Sequence, residues 1–178
     1  MNKVLSIVRL GVLGGLLSTA VSAHAALVNL FANLSGANEV SSTGVLGVGD
    51  PNASGSALVQ IDTLTNRINW NIIYSNWPVA LGFGGHHIHN APAGVNGPVL
   101  VDFGPLPSTG RSAGSFIDTD ALAIATTPAN FYVNLHTAAG TQFAGGAIRG
   151  QLQVPEPGSI ALLALSVCGL VAIRRRGS

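Results

Sequence analysis

Ile68, Trp70, Ile72 and Tyr74 alternate with Asn69 and Asn71. A two-residue period puts large apolar side chains on one face of an extended strand and amides on the other. Such a strand belongs in an antiparallel sheet with one face on a core. The period recurs along the chain. Val28, Leu30 and Ala32 share a face, as do Ala57, Val59 and Ile61 within Ser56–Asp62. Phe131, Val133 and Leu135 oppose Tyr132, Asn134 and His136, and Ile148 and Leu152 oppose Arg149 and Gln151. Pro98–Phe103, Gly114–Asp118 and the segment around His86–His89 supply further short strands. Turn-forming residues separate them. Ser41–Ser54 holds Asp50-Pro51-Asn52 and reads as a long loop, Leu64–Arg67 as a hairpin connection, and Asn90–Gly97 as a turn. Only Thr119–Thr126 suggests helix, one turn or two. About eight short strands with Gly/Pro punctuation predict an all-β antiparallel sandwich.

Both ends of the chain depart from this pattern. Lys3 and Arg9 introduce the apolar run Leu10–Ala20, and Ala23-His24-Ala25 is a small-x-small cleavage site. Residues 1–25 therefore read as a secretory signal peptide. The other end reads Val154-Pro155-Glu156-Pro157, then an apolar run to Ile173, then Arg174-Arg175-Arg176. Ser159–Ile173 carries no charge and spans about 22 Å as a helix at about 1.5 Å per residue. That is short for a membrane span, but snorkelling arginines extend it and place that end in the cytoplasm. Pro155 and Pro157 resist helix continuation on the N-terminal side.

Residues 154–178 resemble the PEP-CTERM sorting signal of Gram-negative bacteria in order, spacing and position. The resemblance implies processing by an exosortase, with Pro155, Glu156, Pro157, Arg174, Arg175 and Arg176 as the sorting motif. It implies export across the inner membrane, transient anchoring by a transmembrane helix, then release or attachment at the cell surface or outside the cell. Cells with such systems usually make exopolysaccharide and biofilm matrix.

The body, residues 26–153, is of a size that suits one domain with one core. Its charges are Arg67, Arg111 and Arg149 against Glu39, Asp50, Asp62, Asp102, Asp118 and Asp120. The chain's formal +1 thus arises in the terminal segments. Without a basic patch or any lysine, the body is unsuited to nucleic acid. The single cysteine, Cys168, lies in the tail. The body therefore relies on packing and sheet hydrogen bonds in a compartment that permits disulfides.

Four motifs in order, Leu34-Ser35-Gly36-Ala37-Asn38-Glu39-Val40, His87-Ile88-His89 with Gly94-Val95-Asn96-Gly97-Pro98-Val99, Tyr132-Val133-Asn134-Leu135-His136-Thr137, and Ile148-Arg149-Gly150-Gln151-Leu152, resemble the CHRD domain. The resemblance implies an immunoglobulin-like β-sandwich used outside the cell, with no agreed catalytic activity. The family's acidic residue two before the closing arginine is replaced by Ala147.

His87 and His89 are two apart on a strand and so share a face, and His136 on another strand can lie beside them. Three neutral imidazoles suit Zn²⁺ or Cu²⁺ with one position open. The pair is similar to the His-x-His of copper/zinc superoxide dismutase, without that protein's fourth histidine, cysteines or zinc loop. The competing reading has the imidazoles bonding backbone carbonyls and bracing the turn Asn90–Gly97. His86 points to the opposite face. Arg149 is expected to pair with Asp102 or Asp118, or to cap a strand end. No serine sits in an elbow motif. Trp70 reads as core, while Trp77 beside Pro78 stays open to sugar stacking. The expectation is a non-enzymatic structural or adhesive protein of the envelope, exopolysaccharide or biofilm. The alternative is a secreted copper or zinc protein, redox-related, using His87, His89 and His136.

Overall fold

The computed structural model describes residues 27–155. The signal peptide, the transmembrane helix and the arginine cluster lie outside the described residues, as do Glu156 and Pro157. Among the described residues no helix is long and apolar enough to cross a membrane.

Eight strands form: β1 (Leu27–Ser35), β2 (Ser54–Asp62), β3 (Arg67–Ser75), β4 (Gly85–Asn90), β5 (Val99–Pro105), β6 (Arg111–Ile117), β7 (Phe131–Leu135) and β8 (Ile148–Gln151). One short helix, α1 (Ala121–Thr126), falls where the Ala/Leu/Ile run predicts it. All strand pairs are antiparallel, in the order β5-β4-β7-β8-β1-β2-β3-β6.

The expected all-β antiparallel architecture is present, but the strands form one nearly closed sheet. Two four-stranded halves meet at β1 and β8 through the pairs Ser35↔Arg149 and Phe31↔Gln153. Gly150 permits this approach, because a Cβ there would meet the Asn33 carbonyl oxygen at 2.3 Å. The hairpin β2–β3 turns as its residues dictate. Asp62 Oδ1 accepts from the Leu64 and Thr65 amides, and Asn66 takes the left-handed conformation at φ 54°, which asparagine tolerates well.

The enclosed face is apolar. Leu30, Ala32, Ala57, Val59, Ile61, Ile68, Ile72, Ile88, Val133, Leu135 and Ile148 are all fully buried in one cluster. Each large aliphatic there contributes about 1.5–3 kcal/mol by leaving water. Trp70 packs against the cluster and stacks on Phe103 of β5, ring centroids 4.6 Å apart. Trp77 is also buried, its indole N–H donating to the Gly82 carbonyl at 3.0 Å. It is a core residue, not a sugar platform.

The free edges β5 and β6 are tied by side chains. Trp70 Nε1–H donates to Ser112 Oγ at 3.1 Å, and the Ser112 hydroxyl donates to His86 Nε2 at 2.7 Å. His86 Nδ1–H in turn donates to the Gly104 carbonyl at 2.9 Å. Carbonyl oxygens only accept, so this chain fixes the tautomer of His86. His86 thus faces inward, as its position in the strand predicts.

Candidate metal centre

The outer face of β4, β7 and β8 is not left to water. All five residues of β7 are buried, Tyr132 and Asn134 included. Loops 39–50, 91–97 and 138–146 cover this face. A polar layer lies beneath them.

His87 and His89 rise from β4, opposite Asn134 and Tyr132 of β7. His136 follows β7 directly, its amide donating to the Gly85 carbonyl at 3.0 Å. The three rings meet. Centroid separations are 5.5 Å for His87–His89, 5.0 Å for His87–His136 and 5.7 Å for His89–His136. One ring nitrogen of each lies within 4.8 Å of the others. A tetrahedral ion with bonds of about 2.0–2.1 Å needs its nitrogens about 3.4 Å apart. Each ring therefore has less than about 1 Å to move inward.

The polar contacts of these rings divide the two nitrogens of each. His89 Nδ1 contacts the Gly97 carbonyl at 3.0 Å and His136 Nδ1 the Ala144 carbonyl at 3.1 Å. Since a carbonyl accepts, both Nδ1 atoms carry the proton. His87 Nε2 faces Asp102 Oδ1 at 3.4 Å. The nitrogens left over, His87 Nδ1, His89 Nε2 and His136 Nε2, are buried and have no hydrogen-bond partner in the protein. Metal-binding histidines characteristically donate their other N–H to a carboxylate or backbone carbonyl, which fixes the tautomer and orients the lone pair. Of the turn contacts expected from the sequence, His89 makes one, at Gly97. His89 and His136 hold backbone carbonyls through Nδ1, and one ring nitrogen of each of the three histidines lies near the others.

Burial favours the neutral, ligating form. Desolvation pushes the pKa of His87 and of His89 down, and that of His136 down to about 4. The centre is partly open on the side of His87, which is half-buried, and of the exposed Asp102.

Arg149 corrects the expectation of an ion pair with Asp102 or Asp118. It is only 2 % exposed and binds the 91–97 loop. Nη1 donates to Asn96 Oδ1 at 3.1 Å, and Nη2 to the carbonyls of Pro92 and Val95 at 3.2 and 2.8 Å. Its guanidinium carbon lies 3.3 Å from the centroid of Tyr132. Asp102 serves His87 instead.

Glu39 had no predicted role. It is buried beside Asn134, whose Nδ2 donates to Oε2 at 3.5 Å. Burial raises its pKa to about 8 against the opposing pull of Arg149. Its only signal in the sequence was a lone carboxylate in the otherwise uncharged segment 34–40.

The CHRD domain family model matches residues 30–152 of the chain. The chain belongs to the CHRD family. The CHRD region carries all eight strands, save the first three residues of β1, and all three histidines. A PEP-CTERM protein-sorting motif matches residues 153–176 directly behind it. The CHRD domain is therefore exported and sorted to the surface by the exosortase route of Gram-negative bacteria. No curated protein matches the chain.

Proposed function

We propose that this CHRD protein is an exported, metal-binding, non-enzymatic component of the cell surface or its matrix. Its domain would hold one zinc or copper ion through His87, His89 and His136. The reading rests on three histidines that each bring one ring nitrogen within 4.8 Å of the others and each carry one buried nitrogen without a protein partner, while their other nitrogens face the Gly97 and Ala144 carbonyls and Asp102. Imidazole donors suit zinc and copper over calcium or magnesium, which take oxygen. Three ligands on a partly open face leave a fourth position for water or a partner's donor group. The sorting motif supports display beyond the inner membrane after a transient membrane-anchored stage. An adhesive or structural role in exopolysaccharide or biofilm is consistent with that location and with a sparsely charged surface.

The test is the metal content of the exported protein, without an affinity tag, after dialysis against trace zinc and copper. About one ion per chain is expected in the wild type and none in His87→Ala/His89→Ala. Absence of metal from a folded wild type overturns the reading.

A further inference from the structure

We infer that Arg149 is a positioning residue for the metal ligand His89, and that through it the centre depends on the conformation of the 91–97 loop. The inference rests on the metal-binding reading and adds a residue that touches none of the three ligating nitrogens.

Two routes run from Arg149 to His89. The first is a stack. The guanidinium lies on the Tyr132 ring at 3.3 Å. His89 lies on the same tyrosine, centroids 4.8 Å apart and planes 9° from parallel. The second route is the loop. Arg149 holds the Pro92 and Val95 carbonyls and Asn96 Oδ1. The next residue, Gly97, presents its carbonyl to His89 Nδ1–H at 3.0 Å. The routes close on each other, because the Gly97 amide donates to Tyr132 Oη at 3.2 Å. Asn96 adds an anchor, donating from Nδ2 to the Val40 and Ser41 carbonyls at 2.7 and 3.0 Å. Gly97 also packs closely, since a Cβ there would meet the Asn90 carbonyl oxygen at 2.0 Å.

Arginine fits this place for a chemical reason. Three acceptors must be reached from one planar group that also offers a face to an aromatic ring. Lysine keeps the charge but has neither the fork nor the plane. A cation this deeply buried is costly unless paired. Here two loop carbonyls, an amide oxygen and the ring face offset that cost, with the Glu39 carboxyl close enough to interact. A guanidinium spent on loop carbonyls, beside a ligand whose tautomer one of those loop residues sets, serves geometry.

The experiment compares full-length wild type with Arg149→Lys, Asn96→Ala and Ile61→Ala. Ile61 is fully buried on β2, in the half of the sheet without the histidines, so its truncation lowers stability away from the centre. Zn²⁺ affinity is read by competition with a chromophoric chelator. Bound Cu²⁺ is read by electron paramagnetic resonance, and the metal-free His89 ring by ¹⁵N chemical shifts. Arg149→Lys should weaken Zn²⁺ binding about 10-fold, in the range of orienting groups behind metal ligands, and alter the copper spectrum. It should also shift the His89 ring from a fixed Nδ1–H form towards a tautomer mixture. Asn96→Ala should act in the same direction with smaller size. Ile61→Ala should lower the melting temperature with wild-type affinity and wild-type His89 shifts. Wild-type affinity and His89 shifts in a folded Arg149→Lys protein overturn the inference. So does an equal loss in Ile61→Ala. If Arg149→Lys does not fold, Asn96→Ala decides by the same readouts. A wild type that binds no metal, with the His89 tautomer still dependent on Arg149, defeats the metal reading and leaves the positioning role standing.

Discussion

His89 lies parallel to Tyr132, ring centroids 4.8 Å apart, on directly paired residues of β4 and β7. The contact sets the plane of one imidazole of the proposed metal centre, and Tyr132 Oη accepts a hydrogen bond from the Gly97 amide. Ring and hydroxyl can be separated by substitution. Tyr132→Phe keeps the stack and loses one hydrogen bond, with an expected cost of about 1 kcal/mol. Tyr132→Leu loses the stack on His89 and the platform under Arg149. It should cost about 2–4 kcal/mol and weaken zinc binding more than Tyr132→Phe does. Chemical denaturation and chelator competition check both.

The pH dependence of metal-free stability should show two limbs. Glu39 is raised from 4.5 to about 8 in the folded protein by burial. Between those values the unfolded chain has released a proton that the folded one keeps, so rising pH favours unfolding. The histidines act oppositely. His86, His87, His89 and His136 are all lowered from 6.5 by burial. Below pH 6.5 the unfolded chain takes up protons that the folded one refuses, and stability falls as pH drops. The maximum is expected near pH 6.5. Above it the slope should be no steeper than about 1.4 kcal/mol per pH unit, and Glu39→Gln should flatten that limb alone. Urea midpoints from pH 5 to 9 measure it.

His86 separates structure from metal binding. It sits next to His87 in sequence but inside the sheet, bonded to Ser112 of β6 and Gly104 of β5. Ser112→Ala leaves His86 Nε2 and Trp70 Nε1–H without their partner, at a cost of about 1–3 kcal/mol. Metal stoichiometry should stay at the wild-type value. Loss of metal in a folded Ser112→Ala protein would place His86 among the groups that hold the centre.

Much of this molecule could be read from period two. Ile68, Trp70, Ile72 and Tyr74 turn inward as their spacing demands, and the pair His87 and His89 faces away from His86 for the same reason. Periodicity is local, however. It could not tell that β1 and β8 join two halves into one sheet, because that seam rests on the pairs Ser35↔Arg149 and Phe31↔Gln153, far apart in sequence. Nor could it tell that loops would bury the outer face of β7. A polar alternate position usually means water, so the spacing alone gives no sign that Glu39 and Arg149 are buried. Charge alone offers Asp102 and Asp118 equally to Arg149, whereas strand register sets Asp102 opposite His87.

The tail makes its own prediction. The last sheet contact before Pro155 is at Gln153, whose amide donates to the Phe31 carbonyl at 2.9 Å and whose carbonyl accepts from the Phe31 amide at 2.8 Å. Val154 and Pro155 are exposed. Among the described residues, nothing after Gln153 pairs with the sheet. A chain ending at Val154 should melt within about 1 °C of one that ends at Pro155, because the one residue that separates them is exposed. A chain ending at Leu152 loses both bonds to Phe31 at the β1–β8 seam, which has the fewest paired residues of any joint in the sheet. Two hydrogen bonds at about 0.5–1.5 kcal/mol each should lower its melting temperature by several degrees. Calorimetry of the three truncations, with mass spectrometry of the natural C-terminus, checks this. If the chain ending at Val154 melts as early as the one ending at Leu152, the fold depends on its sorting segment and processing would weaken the mature domain.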